Sequence, residues 1–533
     1  MPHPVHVPAM GYQALILCGP GVSLSTHSSN PEESPKCLIP IANRPMVYYP
    51  IDFARRSGIT DVTLITPPSS LAPVKAALQQ NPFLTSLPTP KVLAPKDLQM
   101  TMGTAELLRL PEVQACIKTD FLLLPCDLLC EIPGETLLET TRGELNWKRG
   151  LGVFYQTQGR EESVAKEATD FLAIAPLDQD EAPVVAQPSD VDLRRLVLSM
   201  PMDTVKEKVE NDKGFLIRHS LVQQHAQFKM LTSYRDAHLY VLPHWVKDFA
   251  RRQEKLESVS EDLIGYWAKS EWQKGLGDKL GMNQIFQQES HHPEDAGSEV
   301  GESLEDEIDL QGMSTTKSRS NVANITSGAP VFASRVKAAA SEPTKTEVPP
   351  ILAYVQRGSA PFVRRVDSSA MLLSTSLRLA KLECIDDVGR AEASIFAHQS
   401  KIAFPEGIAA RCTVTKADCL LGPNVTVEEK CVIKESCIGS NVMISSGARI
   451  TKCLIMDGSV IGPRAQLTGC IIGKRSKIGR ESSLKDCEVQ GGNVVADETD
   501  AKNEKFMIFE GFDDDDGMDV AGEFDDNQDD LGF

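Results

Sequence analysis

The chain has 533 residues, 41% of them apolar and 24% charged, a composition of soluble globular proteins at a length that calls for two domains or more. The formal net charge of −19 comes from two stretches: residues 288–310 carry nine acidic and no basic side chains, and residues 513–533 carry ten and none, so the remainder is neutral and offers no basic stripe for nucleic acid. No apolar run approaches the ~20 residues that span a bilayer, and the first ten residues lack a basic start and an apolar stretch; the expectation is a cytosolic chain with no membrane partner.

In chain order, Tyr12–Cys18 (YQALILC) is a short apolar strand followed at once by Gly19-Pro20-Gly21. The spacing predicts a helix over 44–57, with Pro45 at its start and Gly58 past its end. Asp61–Thr66 is a second strand closed by Pro67-Pro68, and Phe121–Leu124 a third, ending in Pro125-Cys126-Asp127. Helical segments fall between them, near 71–79 and 104–118. Strands alternating with helices predict an α/β, doubly wound, mostly parallel sheet, which short strands at Leu151–Tyr155 and His238–Leu242 extend. From 284 to 350 the chain turns acidic and rich in Ser, Thr and Ala, the composition of a disordered insertion. A strand at Ile351–Val355 and a helix over 368–383 resume the first domain.

Beyond residue 384 a different period takes over. Aliphatic residues recur with steps of six, six and five, so that every seventeenth position looks alike. One row is Leu421, Ile438, Ile455, Ile472 and Val489; a second is Val427, Ile444, Ile461 and Ile478; a third is Ile433, Ile450, Leu467 and Leu484. All thirteen are Leu, Ile or Val. Small or slim residues follow four positions after the first two rows, among them Val425, Val442, Ser459 and Ser476. A hexapeptide period marks a parallel β-helix, three faces to a coil, with large side chains inward and small ones at corners. Such a solenoid buries its core only by stacking and presents flat faces, which suits assembly. Cys419, Cys453, Cys470 and Cys487 share one further row with Ser436, a thiol ladder along one edge. Coil spacing permits a disulfide there, but thirteen cysteines in a chain of this kind are expected as free thiols, packed as small apolar residues. No CxxC or HxxxH cluster accompanies them, so no metal site is expected.

In a doubly wound sheet, ligands bind beyond the carboxyl ends of the strands. Three segments converge there: the loop Gly19–Arg44 with its Pro35-Lys36 pair, Gly103-Thr104-Ala105, and Asp127 at a strand end. Together these resemble the nucleotidyltransferases that make sugar nucleotides, such as GDP-mannose pyrophosphorylase. The resemblance implies that Lys36 meets phosphate, that Gly103-Thr104-Ala105 meets the base, and that Asp127 holds magnesium. The phosphate loop departs from the family pattern GGxGTRLxPLT: Pro20 replaces a glycine and removes an amide donor, and no arginine follows. Each lost contact of this kind is worth about 3 kcal/mol of barrier, so the chemistry is expected to have lapsed. Gly19, Gly21, Lys36, Gly103, Thr104 and Asp127 are then vestigial pocket positions, with no catalytic residue, no metal, and at most residual GTP or sugar-nucleotide binding. The plainer readings stand beside these: Gly19 and Gly21 turn the chain, Lys36 is a solvated loop lysine, and Asp127 caps a turn. No GxxxxGK[ST] occurs, which sets a P-loop nucleotidase aside.

A weakened nucleotidyltransferase domain followed by a hexapeptide β-helix closely resembles the gamma subunits of eukaryotic translation initiation factor 2B. The resemblance runs through Ala14–Thr66, the Asp127 strand, Gly214–Phe249, Ile351–Glu383 and the β-helix. It implies a left-handed β-helix and a scaffold subunit of a guanine-nucleotide exchange factor. The implied partners are an epsilon subunit, which carries the catalytic domain, then alpha, beta and delta subunits, and initiation factor 2, whose alpha chain is phosphorylated in regulation. Epsilon subunits add a helical C-terminal domain; only 44 residues, acid-rich ones, follow Val489 here. The layout expected is an N-terminal extension at 1–11, a nucleotidyltransferase-like domain at 12–283 plus 351–383, the insertion at 284–350, the β-helix at 384–490 and an acidic disordered tail at 491–533. The competing expectation is a working GDP-mannose pyrophosphorylase-like sugar-nucleotide transferase, or its regulatory subunit.

Overall fold

The computed structural model describes residues 11–19, 24–99, 101–141, 149–165, 167–177, 191–289, 348–358 and 361–508. Pro20 and Gly21, most of the insertion, and the tail beyond 508 lie outside the described residues.

Nine strands build the first sheet: β1 (Tyr12–Leu17), β2 (Asp61–Ile65), β3 (Lys91–Leu93), β4 (Asp120–Pro125), β5 (Gly150–Gln156), β6 (Asp170–Ala175), β7 (Val191–Pro201), β8 (Lys229–Leu242) and β9 (Ile351–Gln356). Their order is β3-β2-β1-β4-β8-β5-β9-β7-β6. The half from β3 to β4 is parallel and doubly wound, as the strand–helix alternation predicts. The other half is mixed: β8 runs antiparallel to β4 and β5, and β7 antiparallel to β9 and β6, while β9 is parallel to β5. It also curls, because the first residues of β8 pair with β6. β8 can serve three neighbours because it is 14 residues long and its register with β5 shifts between Asp236 and Tyr240. A bulge of this kind bends a strand and re-aims its side chains. Side chains alternate across the sheet. Ala14, Ile16, Leu122 and Leu124 face one core, while Leu15, Phe121 and Leu123 face the other. Both faces are therefore covered, which is why β1 and β4 read as continuous apolar runs.

Around the sheet, helix α1 (Tyr48–Arg56) begins four residues later than the spacing predicts, because Pro40–Ile41 and Arg44–Pro45 form a small hairpin first. The helical stretch at 104–118 is two helices, α2 (Thr104–Arg109) and α3 (Pro111–Cys116), broken where Pro111 cannot donate to the turn before it. The insertion expected from 284 starts later, since Met282–Glu289 is helical and Ile285 and Phe286 are buried. Helix α4 (Ser369–Lys381) crosses towards the second unit, its N-terminus capped by the Ser368 hydroxyl.

The second unit is a parallel β-helix. Its three sheets carry the predicted rows in register: Leu421↔Ile438↔Ile455↔Ile472↔Val489, then Val427↔Ile444↔Ile461↔Ile478, then Ile433↔Ile450↔Leu467↔Leu484. All are buried in one core. The coil does not stop at 490. Val494–Val495, Asp500–Lys502 and Lys505–Phe506 add another turn, with Val495, Ala501 and Phe506 continuing the rows. The acidic side chains of this coil point outward and hid it from a composition-based reading. At the other end, Ile402 bridges to Leu421 and Ile408 to Val427, so the stack begins near 402, and residues 384–401 are connector.

Each corner bends through one left-handed residue. In one coil these are Asn441, Gly447 and Lys452; seventeen residues on they are Gly458, Arg464 and Gly469. Gly469, with a φ of 69°, adopts this bend without strain, and the Asp486 carboxylate of the next coil lies over the space a Cβ would take. Next to these bends, corner hydroxyls and thiols reach fourteen residues ahead to a carbonyl of the following coil. Ser459 donates to Gly473 O at 2.9 Å, Ser476 to Gln490 O at 2.8 Å, and Ser482 to Ala496 O at 3.0 Å. Cys470 and Cys487 do the same to Leu484 O and Ala501 O at 3.3 and 3.4 Å. The predicted ladder is thus made of free thiols, and beyond filling space its members act as donors; Ser436 stands among them with a bond to Lys434 O at 2.6 Å.

Candidate functional site

At the carboxyl ends of β1 and β4 a cavity of about 210 Å³ lies where the sequence places a ligand. Gly19, Lys36, Thr104 and Asp127 all line it, so the fold brings together four of the six predicted positions. Gly103 sits immediately beside it, and Gly21 lies outside the described residues.

Asp127 is fixed by the short strand Leu128–Cys130, which pairs with Val363–Arg365. That pairing sets Arg365 against the same carboxylate. Lys36 Nζ donates to Asp127 Oδ2 at 2.6 Å, and Arg365 Nε stands 3.6 Å from Oδ1. The side chains are 12%, 13% and 1% exposed for Lys36, Arg365 and Asp127. Burial alone pushes a carboxyl up, but Lys36 and then Arg365 outweigh it and hold Asp127 well below the usual carboxylate range. Burial likewise opposes the charge on Lys36, and Asp127 more than compensates. Neither plain reading survives: Lys36 is not solvated, and Asp127 is an ion-pair member instead of a turn cap.

The base-contacting segment is also spoken for. Ala105 N–H donates to Glu257 O at 2.9 Å, and Thr104 Oγ1 accepts from Val259 N–H at 2.9 Å. A Cβ on Gly103 would sit 2.2 Å from that same Glu257 carbonyl, so this glycine is required by the chain's own packing. Gly19 differs: a Cβ there would meet nothing within 4 Å.

Three residues that sequence reasoning missed, His238, Tyr240 and Arg365, also line the cavity, and Asp236 is bonded to the first two. His238 lies on the β8 bulge with φ of 51° and is kept neutral by burial and by Arg365. Its N–H donates to Asp236 Oδ1 at 2.7 Å, and Tyr240 donates to the other oxygen. Burial, reinforced by Asp170, pushes Asp236 up to about 7. Arg365 is 238 residues from Asp127 and has no motif around it. The only local signal for His238 was its place at the start of the apolar run His238–Leu242.

A magnesium site does not fit this donor set. Magnesium needs oxygen ligands, and the cavity offers one carboxylate already paired with a lysine and flanked by an arginine. Among the described residues no group of His, Cys, Asp and Glu is arranged to hold a metal. A cavity of about 210 Å³ is also below the roughly 300 Å³ at which small-molecule sites begin.

The two units share a wall. On the first β-helix sheet the outward residues next to the core row are Leu420, Cys437, Leu454 and Ile471, and all four pack into the core of the first domain. Asn43 Nδ2 donates to Ile438 O at 2.7 Å, and Arg44 grips Phe396 O and Ala397 O at 2.9 and 2.8 Å. Arg44 and Asn43, read from the sequence as parts of a ligand loop, are struts to the connector and the solenoid. On the second sheet the outward positions stay open, with Met443 49% and Val494 66% exposed. Among the described residues no helix is long and apolar enough to cross a membrane.

Comparison with known proteins agrees with both units. The family described as GMPPB C-terminal domain matches residues 415–508, which is the β-helix including its last coil. Over 269 residues the chain is 28% identical to translation initiation factor eIF2B subunit gamma of Schizosaccharomyces pombe, covering 50% of this chain and 53% of that protein. The chain spans about half the length of the curated relative it matches.

Proposed function

We propose that the chain works as a gamma-type subunit of a translation initiation factor 2B complex in the cytosol, as a scaffold without catalytic chemistry of its own. The observation that carries this reading is the Lys36–Asp127–Arg365 arrangement, in which the groups that would hold phosphate and metal neutralise one another. The similarity to an eIF2B gamma subunit supports the choice of complex. The open second face of the solenoid, with Met443 and Val494, supports a role in holding other chains. On this reading an epsilon subunit pairs with the chain, alpha, beta and delta subunits complete the assembly, and initiation factor 2 is the protein whose GDP is exchanged under control of its alpha-chain phosphorylation.

The match of residues 415–508 to a GMPPB domain favours a second reading, a sugar-nucleotide transferase or its regulatory subunit. One experiment separates the two. The purified full chain is assayed for pyrophosphate release from GTP and mannose 1-phosphate, and for GDP release from initiation factor 2. The scaffold reading expects neither above background, and a stoichiometric complex when an epsilon-type subunit is added. Turnover of the sugar phosphate that disappears in Asp127→Ala would overturn it in favour of the transferase.

A further inference from the structure

Between the loop after Leu24 and the last coils of the β-helix lies a cavity of about 460 Å³ that the proposed function leaves unused. His27, Ser29, Ser34 and Glu33 face it from the first domain, and Lys474 and Arg475 from the solenoid.

Two of these side chains lack what buried polar groups normally have. His27 is only 6% exposed, yet neither Nδ1 nor Nε2 has a hydrogen-bond partner among the described residues. Most buried polar side-chain atoms have at least one, so an imidazole with none on either nitrogen calls for an explanation. Burial lowers its pKa to about 4, which leaves it neutral with one donor and one acceptor to offer. Lys474 is the second case. Its Nζ donates to Leu38 O at 3.2 Å, and no carboxylate pairs with it among the described residues. Burial pulls its pKa down, and Asp457 only partly opposes this. A cation drawn out of water towards a neutral carbonyl is unfavourable unless an anion completes its shell. Arg475 stands exposed on the rim beside it, and among the described residues the one carboxylate lining the cleft, Glu33, is exposed.

The lining therefore has a cationic end and a neutral, hydroxyl-binding end. Lys474 and Arg475 match a phosphate; His27, Ser29 and Ser34 each donate and accept, which suits hydroxyl groups. The volume lies within the ordinary range for small-molecule sites, about 300–1,000 Å³. We propose that this cleft binds a small phosphate ester bearing hydroxyl groups, with its phosphate on Lys474 and Arg475 and a hydroxyl on His27. Such a ligand touches both units at once and fastens the loop that leads into Lys36 onto the solenoid.

Isothermal titration calorimetry of the full chain with glucose 6-phosphate, and separately with inorganic phosphate, tests this. Saturable binding is expected for both, tighter for the ester. Lys474→Met should weaken both by about tenfold or more, a loss typical of a desolvated charge contact. His27→Leu should weaken the ester and leave inorganic phosphate unchanged, and Lys477→Gln, exposed on another face, should alter neither. Without ligand, Lys474→Met should melt no lower than the parent, because a half-buried charge without a carboxylate partner is removed; a lysine kept only for its bond to Leu38 would instead lower the melting point. Absence of saturable binding to about 10 mM (weaker than about 3 kcal/mol) would overturn the proposal. So would binding undiminished in Lys474→Met, or equal affinity for ester and phosphate in every variant, the mark of an adventitious ion only. These outcomes do not depend on which complex the chain joins.

Discussion

Replacing Asp127 by Ala asks whether the strand-end carboxylate is structural or chemical. Its carboxylate lies 2.6 Å from Lys36 Nζ, with Arg365 Nε 3.6 Å from its second oxygen. In the variant Lys36 loses its carboxylate partner, while Arg365 keeps Asp367, whose Oδ2 lies 3.4 Å from its guanidinium. Removing one member of a buried pair costs about 3–5 kcal/mol, because the survivor keeps its desolvation and loses its attraction. Lys36 retains slight exposure and can partly swing out, which favours the lower figure, near 3 kcal/mol. At about 2–4 °C per kcal/mol for a large domain, the melting point should fall by roughly 6–12 °C. The double variant Lys36→Met/Asp127→Leu should recover most of this, since Arg365 remains paired with Asp367. Acid gives an independent check. The folded Asp127 is held below its ordinary pKa, so its stabilisation is complete above that ordinary value and is lost as pH falls through the folded one. The gap between parent and variant should therefore narrow below about pH 4. Thermal melting and guanidinium unfolding followed by circular dichroism measure both effects. A variant within about 1 kcal/mol of the parent at pH 7 would refute the ion-pair argument, since exposed pairs are worth no more than that.

Two other outcomes are expected. Asp236 is pushed up to about 7, so between its ordinary value and 7 the folded protein holds a proton that the unfolded chain has released; stability should fall with rising pH across that window, by at most about 1.4 kcal/mol per unit, and level off above it. Urea midpoints from pH 5 to 8 should show a shallower slope in Asp236→Asn, and identical slopes would contradict the assignment. On the solenoid, Leu454→Asp should destabilise by several kcal/mol and expose the connector at 384–401 to protease, because Leu454 is fully buried against the first domain. Met443→Asp, on the open face, should stay within about 0.5 kcal/mol of the parent, and equal sensitivity of the two positions would remove the distinction between the faces.

The solenoid was legible because each residue of its rows has one job, and a period of seventeen repeats that job without exception from Leu421 to Val489. The last coil escaped notice because Ala501 is small and the coil carries Asp497, Glu498, Asp500 and Glu504, features that suggest a tail when composition is weighed ahead of register. In the first domain, β1, β2 and β4 announced themselves as apolar runs bounded by Gly and Pro. β6 and β7 did not: Val191–Pro201 carries two arginines and no steady alternation, since it pairs on both sides within a curled sheet. The pocket was half readable. Lys36, Thr104 and Asp127 stand in short motifs, whereas Arg365 and His238 arrive through long-range pairing and a bulge, which leave no local trace. Motif reading also placed Arg44 at the end of a ligand loop and gave Gly103 a role towards a base. Their bonds and contacts run to Phe396, Ala397 and Glu257 instead, and only three-dimensional packing could reveal that.

The stripe Leu420, Cys437, Leu454 and Ile471 is greasy on its outer side and stands against residues as greasy on the inner side. A sheet of that kind cannot be left facing water. Cutting the molecule near residue 400 would give two halves, each with a raw hydrophobic wound, and neither should remain dispersed on its own. The modules that look separable by period and composition are obliged to be inherited, produced and degraded as one body.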